Sequence, residues 1–422
     1  MFFNIHLKEV SGMKRRWMYV ILATFFAVFF LYSCTPPTTT NSKEVTIVID
    51  RAGVNRNATL ILAQDGLNGE WKELTGTNGI YTFTVNNEQG VYSIAAVDKS
   101  TYSDNNNIQL FHSTLAEGKT IDIQFFPDPE TDFATLTINF PATYEASQVG
   151  IFFLGNHAFP SIEQASVTIQ MPKGKSDLVI FIQPDWNIKD EIDEFQKVYI
   201  KRNFEIKNDE TITVNEGDLK APGDLITTDD TSVLYSWIIN NTFVPEFLTA
   251  KKIPNIATND RYLATYQNWT GNRHVIWSKV TKDVPVIVSN EIKNFTRPTT
   301  IINATTTDTS GLPEISFTPY ESTISGYKTK FYEFFISEKE MFGEQTFLSY
   351  THWIFVTPGY LAKVENTYKF PNITLSKWKD EYKPANDYVI QEIEVTLSPN
   401  SFNEVLASKL GTEWLAFNLP LQ

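Results

Sequence analysis

The sequence predicts an all-β protein built from tandem β-sandwich domains. Short segments with alternating apolar residues, such as Val45, Ile47 and Ile49, recur roughly every 10–20 residues between turns rich in Gly, Asn, Asp and Pro. An apolar alternation with a period of two is typical of half-buried strands. With 42% hydrophobic and 14% aromatic residues, the chain has enough apolar side chains to form several packed cores.

The strand pattern of residues 43–129 returns in residues 130–220. The matching segments are KEVTIVIDRA with FATLTINFPA, NATLILAQDG with SQVGIFFLGN, VYSIAAVD with LVIFIQPD, and TIDIQFFPD with TITVNEGD. This alignment places Asp98 opposite Asp185. Because the order and spacing of the segments agree, we predict two β-sandwiches that are repeats of one another.

The remaining sequence predicts more β-structure. Residues 221–305 form a β-rich stretch whose fold the pattern leaves open. In residues 306–422, the segments PEISFTPY, KFYEFFISE and YVIQEIEVTLSP resemble a fibronectin type III or related immunoglobulin-like domain, which implies a further β-sandwich. Ser401 and Glu404 have the spacing of a capping box, which predicts one helix before Gly411.

The N-terminal residues have the pattern of a signal peptide. Three basic residues at 14–16 precede an apolar run, which ends in Leu31-Tyr32-Ser33-Cys34. This ending resembles the lipobox of bacterial lipoproteins, for a start at either Met1 or Met13. The resemblance implies cleavage of residues 1–33 and attachment of diacylglycerol to the Cys34 thiol. Residues 34–42 would then form the lipidated end and a Pro/Thr-rich tether.

An uncleaved membrane anchor is the alternative, although the apolar run is short for a membrane span of about 20 residues. Lipidation would hold the chain on a membrane from the extracytoplasmic side of the cell envelope. Thr35 follows the cysteine in place of the Asp that commonly signals retention at the inner membrane. We therefore expect the outer membrane if the cell has two membranes.

Composition narrows the classes of partner. The formal net charge of −14 disfavours nucleic-acid binding, which needs a basic face. Cys34 is the single cysteine, so no disulfide can form within the chain. The expected partners are the membrane, through the lipid, and a glycan or an envelope protein.

One pattern in the first repeat suggests a ligand site. Asn68 and Trp71 in a loop are followed by an aromatic strand containing Tyr81, an order similar to that of starch- and glycogen-binding modules. The resemblance implies that Trp71 and Tyr81 stack on sugar rings while Asn68 bonds their hydroxyl groups. The alternative is that Trp71 is a packing residue at a strand edge.

No catalytic motif is present. The sequence contains no nucleophile elbow, HExxH motif or Gly-rich phosphate loop, and the four histidines after Cys34 are scattered. The polar loop from Asp98 to Asn105 is interpreted as an ordinary turn instead of a calcium site. We therefore predict no catalytic residue, metal or cofactor. The expected function is a lipid-anchored surface protein with a binding or structural role; the alternative is a carbohydrate-binding lipoprotein that assists glycan uptake or degradation.

Overall fold

The computed structural model shows a protein made mostly of β-strands arranged in several sheets, which confirms the all-β prediction. The structure describes residues 43–51, 54–99, 106–125, 132–183, 197–220, 225–227, 233–239, 242–244, 252–254, 261–270, 273–282, 286–298, 303–305, 312–342, 345–385, 388–401, 405 and 413–419. The predicted signal peptide and tether, Asp185 and most of the predicted capping-box helix lie outside these residues.

The strands are numbered in chain order. In the first two repeats they are β1 (Glu44–Arg51), β2 (Val54–Asn55), β3 (Leu60–Asp65), β4 (Trp71–Glu73), β5 (Ile80–Thr84), β6 (Val91–Lys99), β7 (Asn106–Thr114), β8 (Thr120–Phe125), β9 (Phe133–Asn139), β10 (Gln148–Phe153), β11 (Asn156–Ala158), β12 (Ser166–Pro172), β13 (Gly174–Gln183), β14 (Lys197–Ile206) and β15 (Glu210–Thr213). The later strands are β16 (Leu225–Thr227), β17 (Val233–Ile239), β18 (Thr242–Val244), β19 (Lys252–Pro254), β20 (Arg261–Thr270), β21 (Arg273–Thr281), β22 (Asn303–Thr305), β23 (Glu314–Ser316), β24 (Lys328–Phe342), β25 (Gln345–Val356), β26 (Thr367–Lys369), β27 (Val389–Ser398) and β28 (Glu413–Leu419).

The helices within the described residues are all short. The α-helices are Asn290–Lys293 and Pro358–Leu361, and single 3₁₀ turns lie at Ala142–Tyr144, Glu216–Asp218 and Asp380–Tyr382. Across the described ranges, none of the helices has the length and apolar character needed to cross a membrane.

The two N-terminal repeats have the same strand pairing. Strand β1 pairs antiparallel with β5 and parallel with β8, and β9 pairs in the same way with β12 and β15. The second sheet runs β4-β3-β6-β7 in the first repeat and β11-β10-β13-β14 in the second. The same topology therefore occurs twice, while the domain boundaries at residues 129, 220 and 305 stay a prediction.

The residue-by-residue alignment of two strands needs a correction. In the first, Val45 and Ile47 face the core of the first repeat, whereas Leu136 and Ile138, and not the aligned Thr135 and Thr137, face the core of the second.

The other strand is β6, aligned with β13. Tyr92 and Ile94 face the core of the first repeat, whereas Leu178 and Ile180 face the core of the second. Matching VYSIAAVD to LVIFIQPD therefore pairs inward-facing with outward-facing residues. Since side chains alternate along a strand, a slip of one residue exchanges the two faces. The strands correspond, but this alignment of their residues does not; Asp185 itself lies outside the described residues.

One sheet extends through most of the molecule. Twelve strands are hydrogen-bonded in the order β18-β17-β20-β21-β28-β27-β24-β25-β7-β6-β3-β4. The joint between the first repeat and the C-terminal strands is a parallel pair, β7 with β25, in which His352 lies opposite Ile108. The predicted ranges 43–129, 221–305 and 306–422 thus contribute strands to the same sheet.

Among the described residues, three large clusters of buried apolar side chains stabilise this arrangement, and a small fourth one contains Ile276, Trp414 and Ala416. Each repeat has a cluster between its two sheets, and a third cluster, here called the shared core, contains residues from all four predicted ranges. Leu62 of β3 and Phe152 of β10 both belong to the shared core. These strands are buried on both faces, which explains why the segments LILA and VGIFF are continuous apolar runs.

Candidate functional site

The predicted sugar-binding residue Asn68 lies in the turn between β3 and β4. Its side chain is exposed to solvent. The turn is fixed from one side, because Gln64 Nε2 donates a hydrogen bond of 2.8 Å to the Gly69 carbonyl. Asn68 is therefore presented to solvent at the end of an ordered strand.

A carboxylate network holds the neighbouring loop. Asp65 accepts hydrogen bonds from the Asn86 and Asn87 backbone N–H groups at 2.9 and 3.2 Å, and from Asn87 Nδ2 at 2.6 Å. Burial favours the neutral acid, but the hydrogen bonds from Asn87 and Asn86 outweigh it and lower the pKa of Asp65. Asp65 is thus an anion that joins two loops beside the Asn68 turn.

Trp71 is the first residue of β4, the edge strand of the twelve-stranded sheet. Its side chain is half-buried and packs against the shared core. Glu73, which lies on the same face of β4, forms an ion pair of 2.5 Å with Lys377. Trp71 therefore has a packing role at the strand edge and keeps part of its surface exposed.

Tyr81 lies in a different environment from Trp71. It is only 4% exposed and belongs to the core between the two sheets of the first repeat. Its ring lies over Gly76, where an added Cβ would come within 2.6 Å, and its hydroxyl accepts a hydrogen bond from the Ala58 N–H at 3.1 Å. The structure does not bring the Tyr81 and Trp71 rings together on one surface.

A buried serine–histidine pair lies on β6 and β7, next to the pairing of β7 with β25. Ser93 Oγ and His112 Nδ1 are 2.8 Å apart, and both side chains are buried. The rings of Tyr360 and Tyr368 lie 5.0 and 5.2 Å from the His112 ring. Burial lowers the pKa of His112 to about 3, so the imidazole is neutral near pH 7.

A serine beside a histidine can form part of a nucleophilic catalyst, but this pair lacks the required properties. A histidine with so low a pKa is a poor base, and both groups are enclosed by side chains of the first repeat and the C-terminal region. We assign Ser93 and His112 to packing at the joint. Their only sequence signal is a polar residue inside an apolar strand, and nothing local indicates that they are in contact.

His352 on β25 is also buried and neutral. Its ring contacts Thr351 Oγ1 at 2.8 Å and the Tyr382 carbonyl at 3.0 Å. Burial lowers the pKa of His352 to about 4, against the hydrogen bond to Tyr382. Within the described ranges, no group of three or more His, Cys, Asp or Glu side chains is arranged to hold a metal ion.

Glu117 connects the first repeat to the helix Pro358–Leu361. Its carboxylate accepts hydrogen bonds from the Gly359 backbone N–H at 2.6 Å and from the Thr357 hydroxyl at 2.5 Å. Thr114 Oγ1 donates a third bond of 2.9 Å to the same carboxylate. A carboxylate that accepts hydrogen bonds from the free N–H groups at the start of a helix stabilises that helix. Here the contact also joins the first repeat to the C-terminal region.

Comparisons with known proteins do not indicate a function for this chain. No family model and no curated protein matches the chain. Among solved structures, the Bacillus anthracis TIE protein matches 59% of this chain at 10% identity with a TM-score of 0.16. The chain spans about half, 47%, of that structure's length. A similarity at this level supports no conclusion on function.

Proposed function

We propose that the protein is a lipid-anchored extracytoplasmic surface protein with a binding or structural role. The observation that carries this proposal is the sequence Leu31-Tyr32-Ser33-Cys34, which is followed by a short Pro/Thr-rich tether and then by β1 at Glu44. A lipid on Cys34 would thus lie next to the folded part of the chain. Two or more acyl chains are needed for durable anchoring, and lipoprotein modification supplies them.

The fold supports a role in presentation. Strand β7 of the first repeat is hydrogen-bonded to β25, and Glu117 fixes the same joint from the side. The first repeat, which follows the anchor, therefore contributes four strands to the same sheet as the C-terminal strands. A single sheet would hold a binding surface at a defined orientation to the membrane.

Metabolic labelling with an alkynyl palmitate tests the lipid anchor. The full-length chain should incorporate the label and remain in the membrane fraction, and Cys34→Ser should lose both properties. Ser33→Ala is the matched control, because it keeps a small residue before the cysteine and should be labelled normally. Equal labelling of Cys34→Ser would disprove the anchor.

Carbohydrate binding is the second candidate, and the exposed side chain of Asn68 beside the half-exposed Trp71 favours it. The buried Tyr81 would not contribute to such a site. A glycan array should then show binding that Trp71→Ala and Asn68→Ala both reduce. Ile80→Ala, at an exposed position of the neighbouring sheet, serves as the control and should bind normally. Binding that survives Trp71→Ala excludes this platform.

A further inference from the structure

The dipeptide Asn-Gly occurs twice in the chain, at Asn68-Gly69 and at Asn78-Gly79. Each lies in a turn of the first repeat, and both asparagine side chains are exposed. From the different environments of the two glycine N–H groups, we propose that Asn68 is a site of spontaneous deamidation and that Asn78 is protected. This proposal is independent of the ligand that the protein binds.

The groups that would react at Asn68 are weakly held. The Asn68 side chain has no hydrogen-bond partner among the described residues, so its amide can rotate toward the main chain. The following N–H, on Gly69, reaches only the Gly66 carbonyl at 3.4 Å, a long and weak contact. Base can therefore remove this proton with little competition from the fold.

The two sites differ in the N–H that follows the asparagine, and at Asn78 this group, on Gly79, is held firmly. The Gly79 N–H donates a hydrogen bond of 2.8 Å to Asn57 Oδ1. Gly79 is also buried, with a φ of +74°. Its nitrogen is therefore engaged in a short hydrogen bond inside the fold, whereas the Gly69 nitrogen has only a long contact.

The reaction needs only water as a co-reactant. After base removes its proton, the Gly69 nitrogen attacks the side-chain amide carbon of Asn68, a carbon–nitrogen bond forms, and ammonia leaves with the returned proton. One water molecule then opens the cyclic imide at either carbonyl. The products are aspartate and isoaspartate, and each adds one negative charge where Asn68 was neutral.

The modified turn would differ in charge and in backbone length. The new carboxylate lies in the same loop as Asp65 and Glu70, which are also acidic. Isoaspartate inserts a carbon into the main chain just before Gly69, whose carbonyl accepts the bond from Gln64. Deamidation therefore changes the exposed surface beside Trp71 while leaving the buried sheet intact.

Peptide mapping by mass spectrometry tests the proposal. The intact folded protein is incubated in mildly alkaline buffer, and the replacement of NH₂ by OH is followed at each dipeptide. We expect Asn68 to react at least about tenfold faster than Asn78. In denaturant the two rates should become similar, because both sites then have the same local sequence.

Two variants isolate the cause. Asn68→Gln should abolish the product at this turn, since glutamine cyclises poorly. Asn57→Ala removes the acceptor of the Gly79 N–H and should raise the rate at Asn78, with circular dichroism confirming that the fold is retained. Gly69→Ala is unsuitable, because its Cβ would come within 2.1 Å of the Asp65 carbonyl oxygen. Equal rates at Asn68 and Asn78 in the folded protein, or an unreactive Asn68, would overturn the proposal.

Discussion

The two N-terminal repeats share their topology but differ in what lies beside the last strand of the four-stranded sheet. In the first repeat, β7 is paired on both sides, by β6 and by β25. In the second, β14 pairs along its length with β13, and on its other side the described residues supply only the bridge from Val198 to Lys220. The equivalent strand is thus internal in one repeat and at the edge in the other.

The amino-acid sequences of the two strands explain this difference. Strand β7 reads NNIQLFHST and carries no Lys, Arg, Asp or Glu, whereas β14 reads KVYIKRNFEI. Charged side chains and bulges protect strand edges from pairing with other strands. Strand β14 has both, since its register shifts opposite Ser176 and Leu178 and the buried Asp177 binds Arg202 at 2.7 Å. The charge pattern therefore distinguishes a strand that joins another sheet from one that ends a sheet.

Separating the repeats should produce the largest effect. A fragment of residues 43–125 loses β25 and exposes the outward-facing residues of β3, β6 and β7, so we expect it to be unfolded or aggregated. A fragment of residues 132–220 keeps its protected edge and exposes fewer shared-core residues, so we expect a folded monomer. Circular dichroism melting and size-exclusion chromatography measure both. A folded, monomeric first fragment would contradict the interpretation of β7.

Shortening a single side chain should also destabilise the protein more in β7 than in β14. Leu110 on β7 is fully buried in the shared core, and Leu110→Ala should lower the free energy of unfolding by about 2–5 kcal/mol. Ile200 on β14 packs against the same core but is only partly buried, so Ile200→Ala should cost about 1 kcal/mol. Urea unfolding of both variants gives the comparison, and equal losses would remove the distinction between the strands.

The free energy of unfolding should depend on pH through Asp122 of β8, whereas the equivalent strand of the second repeat, β15, has a threonine at the matched position. Burial, and then the nearby Asp50, raise the pKa of Asp122 in β8 to about 7, well above the usual 3.8 of an aspartate. Between these pH values the unfolded chain loses this proton while the folded chain keeps it. The contribution of Asp122 to the free energy of unfolding therefore decreases as pH rises from about 4 to 7, by at most about 4 kcal/mol.

Asp122→Asn should remove this decrease, so that the variant is more stable than the original protein at pH 8 but similar to it at pH 4. The matched position in the second repeat is Thr213, which lies exposed on β15. Thr213→Asn should leave the pH dependence unchanged. Urea unfolding across this pH range tests the pair, and an Asp122→Asn curve parallel to that of the original protein would contradict the expected ionisation.

The joint at Gly359 should show a smaller effect than the Leu110 and Asp122 substitutions. A Cβ on Gly359 would come within 2.5 Å of Glu117 Oε2, so Gly359→Ala should cost about 1–3 kcal/mol. Gly217, in the second repeat, has no atom within 4 Å of its added Cβ and is the control. Thermal melting should show a decrease for Gly359→Ala and nearly none for Gly217→Ala; similar decreases would show that the Glu117 contact adds no stability.

The sequence predicts local structure well in this molecule. The alternation of Val45, Ile47 and Ile49 indicates a strand that faces one core, and these residues lie in β1 with full burial. The order of the matched segments also corresponds to the order of the observed strands. These features depend on neighbouring residues, so a pattern of period two is enough to find them.

Contacts between distant segments could not be predicted in this way. The pairing of β7 with β25 leaves no local pattern, because strands without Lys, Arg, Asp or Glu could pair with many others. Tyr81 alternates like any strand residue, and only the second sheet of the sandwich shows that it faces inward. The turn-forming neighbours of Asn68 predict a loop, but the hydrogen-bond partners of the Gly69 and Gly79 N–H groups depend on tertiary structure.

The parallel pairing of β7 with β25 has a consequence for folding kinetics. Thr357 and His112, at the end of this joint, are 245 residues apart in the chain. Closing so long a loop is slow, and a chain emerging from its N-terminus has made β7 long before β25 exists. During that interval an uncharged strand edge is unpaired and open to aggregation. The first repeat is therefore exposed to aggregation until the C-terminal strands have been made.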